Sequence, residues 1–258
     1  MNTKQLLDLH GRNALVTGGS RGLGLQIAEA LGEMGAKVAL TARKQEELDA
    51  AVARLAKMGI EASAWKCDLS KREQVPSLAD AVLGRLGRID ILVNNAGAVW
   101  AEPAETHPLE AWDKLVALNM TANFLLSQAI ATKSMIPNRW GRIINVASVA
   151  GLTASDPRVV RTLSYNATKH GVVGLTRQLA AEWGVHGITV NAICPGFFPS
   201  KMTGVMLEAT GKLVLEVTPT RRLGNEEDLK GLAVLLASEA SRHITGQAIA
   251  VDGGASVL

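Results

Sequence analysis

Short aliphatic runs alternate with helical stretches along the whole of this chain, and that alternation constrains its fold more than any other feature. "NALVT" (13–17), "KVALT" (37–41), "ASAWK" (62–66), "IDILV" (89–93), "RIINV" (142–146), "ITVNAIC" (188–194) and "AIAV" (248–251) read as strands. Each is short and aliphatic or β-branched, with Gly, Asp or Asn nearby. Near-continuous apolarity predicts strands covered on both faces, as in a parallel sheet. Between them, Leu23, Ile27, Ala30, Leu31 and Met34 fall on one helical stripe. The stretch 45–59 repeats the pattern and closes on Gly59 as C-cap. A third helix is expected from Ser70 as N-cap, with Glu73 in capping-box position, and a later one from Asn225. The β-α-β-α order implies right-handed crossovers and an α/β, doubly wound sheet.

The chain has 258 residues, 47% hydrophobic but only 3% aromatic, so a large core must come from Ala, Val, Leu and Ile. No linker or repeat interrupts it, and residues 1–258 read as one domain. The segment at about 196–220 shows no clear periodicity. It follows a strand and so lies at the carboxyl edge of the sheet, where a long segment suits a substrate lid carrying Met202 and Met206. The net charge of +3 is mild and scattered, which argues against nucleic acid as a partner. Cys67 and Cys194 form no metal or CxxC spacing and read as buried thiols of a reducing compartment. Asp8, His10 and Arg12 interrupt the N-terminus where a signal peptide needs an apolar run. With no stretch of about 18 uncharged apolar residues either, the expectation is a soluble cytoplasmic protein with no membrane partner.

"VTGGSRGLG" follows the first strand and opens the first long helix, with Gly18, Gly22 and Gly24 spaced G-x-x-x-G-x-G. Small residues there let backbone amides and a helix N-terminus approach a pyrophosphate. Dinucleotide folds place an acid about 20 residues further on, against the ribose hydroxyls. Here Ala42 and Arg43 stand at that place. A cation suits a 2′-phosphate, and Arg21 in the glycine turn is placed to join it, so NADP(H) is expected over NAD(H). The other reading of both arginines is solvated surface charge. Asp68 in "CDLS" either accepts from an adenine or caps the next helix. "NNAG" (94–97) either braces a nucleotide or forms a turn.

Tyr165, the one tyrosine in the chain, and Lys169 are i and i+4 on a helix, and so share a face. Ser148 closes the strand "RIINVAS" at the same sheet edge. A nearby ammonium is expected to lower the phenol from its usual value near 10, so that it exchanges a proton with a substrate oxygen near neutral pH. Ser148 would hold the same oxygen.

Together, "TGGSRGLG", "CDL", "NNAG", "LNMTANF", "NVASVAG", "YNATK", "NAICPG" and "TGQAIAVDGG" resemble the short-chain dehydrogenase/reductase family over essentially the full chain. The resemblance implies a Rossmann-like domain with a seven-stranded parallel sheet, helices on both faces, and a homotetramer. It casts Tyr165 as general acid/base. Lys169 would tune the phenol and hold the nicotinamide ribose, Ser148 anchor the substrate oxygen, and Asn119 hold a relay water. It places Gly18, Gly22, Gly24, Asp68, Asn95 and Gly97 on the cofactor, with Ser20, Arg21, Leu23, Arg43, Leu69 and Ala96 beside them. Pro195, Gly196, Phe198 and Ser200 fall near the nicotinamide. The substrate it implies is a carbonyl or alcohol, as in 3-oxoacyl reductases or gluconate 5-dehydrogenases. Against these stands a silent nucleotide-binding scaffold, which commonly loses Tyr or Lys. One departure is the long spacing between Ser148 and Tyr165. The extra residues, near 155–162, are expected to loop out beside the substrate mouth. Arg158 and Arg161 there either bind an acidic group or face solvent.

Overall fold

Alternate side chains of a strand leave its two faces, and the described residues, 1–200 and 203–257 of a computed structural model, sort their apolar groups accordingly. The strands are β1 (Asn13–Thr17), β2 (Lys37–Ala42), β3 (Ala62–Lys66), β4 (Ile91–Asn94), β5 (Gly141–Val146), β6 (Ile188–Pro195) and β7 (Ala248–Val251). All pair in parallel, in the order β3-β2-β1-β4-β5-β6-β7. Helices are α1 (Thr3–Leu7), α2 (Gly22–Glu33), α3 (Gln45–Lys57), α4 (Gln74–Leu86), α5 (Leu109–Asn138), α6 (Leu163–Trp183), α7 (Gly204–Glu216) and α8 (Lys230–Ala237). Ala14, Val16, Val93 and Ile144 pack with Ile27 and Leu31 of α2 and Leu236 of α8. Their strand neighbours Leu15, Leu92 and Ile143 pack on the opposite face with Leu78 of α4, Leu126 of α5 and Leu179 of α6. Each such buried side chain contributes about 1.5–3 kcal/mol of transfer free energy, so the two faces dominate the stability.

The seven expected strands are present to within about two residues, and the α/β doubly wound architecture follows from them. Several helix boundaries differ. The first residue of α4 is Gln74 and its N-cap is Glu73, because Ser70 gives its hydroxyl and amide to Asp68 Oδ1 at 2.7 and 3.1 Å and so closes a turn instead. Asn225 accepts from the amides of Glu227 and Asp228 at 2.9 and 3.2 Å, which also closes a turn, and α8 starts only at Lys230. The segment at about 196–220 contains a helix, α7, that no clear stripe announced. Met202 lies outside the described residues, as does the side chain of Met206.

α5 is continuous but passes through two π-helical stretches, Val116–Thr121 and Ala131–Met135. Contrary to the sequence expectation, its length and mean hydropathy of 1.3 match those of a membrane-crossing helix. Half of that apolar stretch is buried within the protein itself, against the sheet and α4.

The amino edge of the sheet is closed by charge. Asp90, 2% exposed, accepts from Arg88, from Arg12 at 3.2 Å and from the Asn13 amide at 2.9 Å. Arg142 is buried, and its guanidinium and that of Arg12 lie 4.3 and 3.7 Å from the centre of the Trp140 ring. Burial lowers Arg142 to about 10, although Glu239 at 3.4 Å pulls it back. Ligand chemistry therefore falls to the opposite edge, where the order reverses between β1 and β4.

Candidate active site

The glycine turn is built by close approach. Gly18 and Gly22 have φ of +62° and +54°. A Cβ at Gly18 would lie 2.8 Å from Asn95 Nδ2, and one at Gly24 would collide with Asn95 and with the Gly18 carbonyl. At Gly22 it would meet nothing, so the turn opens outward there. Arg21, the N-cap of α2, supplies no side-chain cap, which leaves first-turn amides for an anion. This cradle fits a dinucleotide pyrophosphate.

Asn95 fastens the turn to the sheet. Its amide nitrogen donates to the carbonyls of Thr17 at 2.9 Å and Gly18 at 3.2 Å. In return Thr17 Oγ1 accepts from the amides of Asn95 and Ala96, both at 2.9 Å. Asn94 instead turns inward, donating to Ser127 Oγ and Asn145 Oδ1, both at 2.9 Å. The "NNAG" segment is thus a brace across the β1–β4 crevice.

Beyond the ends of β2 and β3, Arg43 is exposed and its charge acts on Asp68. Burial works to raise the Asp68 carboxyl, but the Ser70 hydroxyl and amide, with Arg43 and Lys71, hold it below its usual value. Arg21 is already paired with Glu47 at 2.9 Å, whereas Arg43 has no ion pair among the described residues. Of the two cations expected beside a 2′-phosphate, Arg43 is the one left available. Leu69 is buried in the core, and Leu23 and Ala96 pack partly against it, so these positions offer a cofactor mainly backbone.

The chemical end assembles as the spacing required. The insertion loops out, and Ser148 and Tyr165 line the same cavity, where the Ser148 hydroxyl acts to lower the phenol. Ser148 Oγ also accepts from the Ala150 amide at 3.1 Å, which fixes its rotamer at the start of a short turn. Lys169 is 4% exposed, donates to the Val146 carbonyl at 2.7 Å and stands 5.5 Å from the Tyr165 ring centre. A Cβ at Gly97 would lie 3.8 Å from Lys169 Nζ, so no side chain there screens the lysine.

Asn119 lies in the first π-helical stretch of α5, a local unwinding that often marks functional positions. Its side chain exchanges two 2.9 Å hydrogen bonds with the backbone of Ala98 and donates to Thr168 Oγ1 at 3.2 Å. Thr168 in turn donates to the Tyr165 carbonyl at 2.9 Å, while the Asn119 carbonyl accepts from Asn123 at 3.0 Å. Sequence reasoning found Asn119 but not Thr168 or Asn123.

The phenol departs from expectation. Burial raises Tyr165 above its ordinary 10, more than the Ser148 hydroxyl lowers it. The same burial drops Lys169 from 10.5 to about 8. Desolvation therefore sets the direction, and the ammonium on which the lowering was to depend is not among its causes.

Ser148, Tyr165 and Gly196 line a cavity of about 600 Å³. Phe197 lines it as well, whereas Phe198, the aromatic expected at the nicotinamide, is buried in the core. Strand alternation continued past Pro195 carries one ring inward and leaves the other at the cavity. Gly196 has no room for a side chain beside Asp252. Ser200 caps the turn into α7, where its Oγ accepts from the Thr203 amide at 3.2 Å. Ser155, Pro157 and Val160 bring the insertion to the cavity wall, and α7 adds Ala209 and Thr210.

Comparison with known proteins gives a consistent picture. The sequence pattern of the family described as short chain dehydrogenase matches residues 12–210. A gluconate 5-dehydrogenase of Gluconobacter oxydans is 39% identical over 100% of this chain and 99% of its own. A 3-oxoacyl-acyl-carrier-protein reductase of Aquifex aeolicus is 35% identical over 96% and 98%. The crystal structure of a gluconate 5-dehydrogenase from Burkholderia cenocepacia, in complex with NADP and tartrate, superposes with a TM-score of 0.94 at 34% identity over all of both chains.

Burial of Lys169 has a signature in stability. Its folded-state value of about 8 lies below its ordinary 10.5, so the unfolded chain binds that proton more tightly. The lysine's contribution to stability therefore rises with pH between about 8 and 10.5. Cys67 and Cys194, raised by burial from 9.0 to about 11, act oppositely above pH 9. Lys169→Met isolates the lysine. Its stability advantage over the parent in denaturant titrations should shrink as pH rises through that window, whereas a constant difference would contradict the buried-ammonium assignment.

Proposed function

This chain belongs to the short-chain dehydrogenase family, and we propose that it is an NADP(H)-dependent oxidoreductase acting on a carbonyl or secondary alcohol. The observation that carries the reading is that Ser148 and Tyr165 line one cavity wall, with Lys169 buried 5.5 Å from the Tyr165 ring centre. NADP(H), when bound, supplies or accepts the hydride. The raised phenol keeps its proton at neutral pH and gives it to the substrate oxygen as the carbonyl carbon is reduced. Ser148 donates to that oxygen and holds it at the phenol. In the reverse direction the phenolate takes the proton from the alcohol. The Gly18–Gly24 turn would hold the pyrophosphate, Arg43 the 2′-phosphate, and Lys169 with Gly97 the nicotinamide ribose. Asn119 positions the Tyr165–Lys169 helix through Thr168 and would hold the water of a proton relay from Lys169.

The substrate is a keto sugar acid, as the gluconate 5-dehydrogenase likeness supports, or a 3-oxoacyl thioester, as the 3-oxoacyl reductase likeness supports. A silent scaffold is disfavoured because Asn119, Ser148, Tyr165 and Lys169 are all retained. We place the enzyme in the cytoplasm on the strength of its two free, buried cysteines. We also propose a homotetramer. Leu109, Trp112 and Phe124 are exposed on α5, and Val257 is 80% exposed beside the edge strand β7. Light scattering that gives a monomer would overturn that assembly.

The deciding experiment sets Tyr165→Phe beside the parent with NADPH and a panel of keto acids and 3-oxoacyl thioesters. The variant should bind NADPH unchanged and lose about 10²- to 10⁴-fold in turnover. Equal turnover would remove the phenol from the mechanism. Arg43→Ala should cut the preference for NADPH over NADH by about 10- to 100-fold, the worth of one charge-assisted hydrogen bond. A parent enzyme that prefers NADH would refute the cofactor assignment.

A further inference from the structure

The wall of the 600 Å³ cavity is mostly apolar, with Val99, Val149, Pro157, Val160, Phe197 and Ala209 on it. Among its described residues only two are charged, Glu102 and Arg161. They arrive on different segments. Glu102 follows the brace after β4, and Arg161 ends the insertion. A single parallel bridge joins the segments, pairing Glu102 with Thr162, and the Glu102 amide donates to the Arg161 carbonyl at 3.0 Å.

Both arginines of the insertion are exposed, but their partners differ. Asp156 binds the guanidinium of Arg158 through contacts of 3.1, 3.1 and 2.6 Å, and Arg158 is not part of the cavity wall. Arg161 lines the cavity, and no described carboxylate pairs with it. Glu102, its neighbour across the bridge, accepts instead from Thr106 Oγ1 at 2.9 Å. An unpaired guanidinium on an apolar wall gains most from a planar anion that accepts two parallel hydrogen bonds. The same cavity also carries Ser148 and Tyr165, where a carbonyl oxygen would be held.

We propose that Arg161 is the anchor for a carboxylate carried by the substrate itself, which is therefore an oxo acid, or the matching hydroxy acid, with an apolar body between its two polar ends. The inference rests on the reductase reading above and sharpens it. It favours a free acid over a thioester, whose acyl chain has no carboxylate to offer. The apolar wall disfavours a heavily hydroxylated body, since buried hydroxyls would go unpaired. Arg161 sets specificity by binding the end that does not react.

The test uses linear oxo acids of increasing chain length, each beside its methyl ester, with NADPH and the whole enzyme. The parent should prefer the acid to the ester by about 10- to 100-fold in kcat/KM at the best chain length. Arg161→Gln should erase that preference, mainly through KM, and leave the ester unchanged. Arg161→Lys should restore part of it, and Arg158→Gln should change nothing. Equal loss on acid and ester, or no loss on either, overturns the proposal. Glu102→Gln should leave acid binding unchanged or tighter. A loss there with Arg161→Gln silent would assign recognition to the carboxylate and a cationic substrate, which also overturns it. Binding of the saturated acids to the enzyme with NADP+, measured calorimetrically, keeps the two readings separable. If no compound turns over, the reductase reading fails. The anchor still stands or falls on whether the parent binds acid more tightly than ester and Arg161→Gln does not.

Discussion

Everything at the carboxyl edge depends on how β1 is held to β4 past the point where their ladder ends. Helices leave these two strands toward opposite faces, so the sheet alone would let the crevice gape. Thr17 and Asn95 close it with hydrogen bonds that cross about 78 residues of sequence. The contact does not end there. Through Ala98 it reaches Asn119, then Thr168, then the carbonyl of Tyr165. The glycine turn and the Tyr165–Lys169 helix are therefore referenced to one another by a short, buried chain of polar groups. Each bond is worth only about 0.5–1.5 kcal/mol, but leaving a partner unmet in this environment costs about 1–3, which favours the whole set over any part.

Dryness is the second organising effect. It moves the phenol up and the ammonium down, the one by favouring the neutral acid and the other by favouring the neutral amine. At neutral pH the tyrosine holds its proton, the form that carbonyl reduction consumes. The lysine sits closer to its own titration than an ordinary lysine does. It is held to a backbone carbonyl rather than to a carboxylate, so no fixed negative charge in its hydrogen bonding opposes an incoming ligand.

Much of this was legible in the chain because it is local. Strand runs and the turn glycines depend on neighbours a few residues away, and β1 through β7 and Gly18 to Gly24 were found where they are. The tyrosine–lysine spacing places both groups on one helix face without further information. What failed depended on hydrogen-bond and ion-pair partners, near or far, that the residue pattern does not name. Ser70 does not cap α4 because Asp68 takes its hydroxyl, and Arg21 is claimed by Glu47 from the next helix. Phe198 was chosen over Phe197 although Gly224, far along the chain, is what makes room for its ring in the core. The π-helical stretches of α5 leave no mark in residue type, and α7 lacks an apolar stripe clean enough to announce it. The direction of the phenol's shift depended on how deeply it is buried, which spacing does not reveal.

The insertion between Ser148 and Tyr165 is tied near its ends to α6 and to Glu102, with Val159 buried between. Ser155 and Thr162 both donate to the Asn166 side chain on α6, and Asn166 reaches back to the Thr153 carbonyl. Between those ties the chain runs along the cavity wall and closes its own turn on Asp156. Exposed residues there, such as Pro157 and Arg158, can change with less effect on the serine and the tyrosine than buried Val159. For a lineage that keeps one reaction while exploring new metabolites, this short stretch is a region where divergence is cheap.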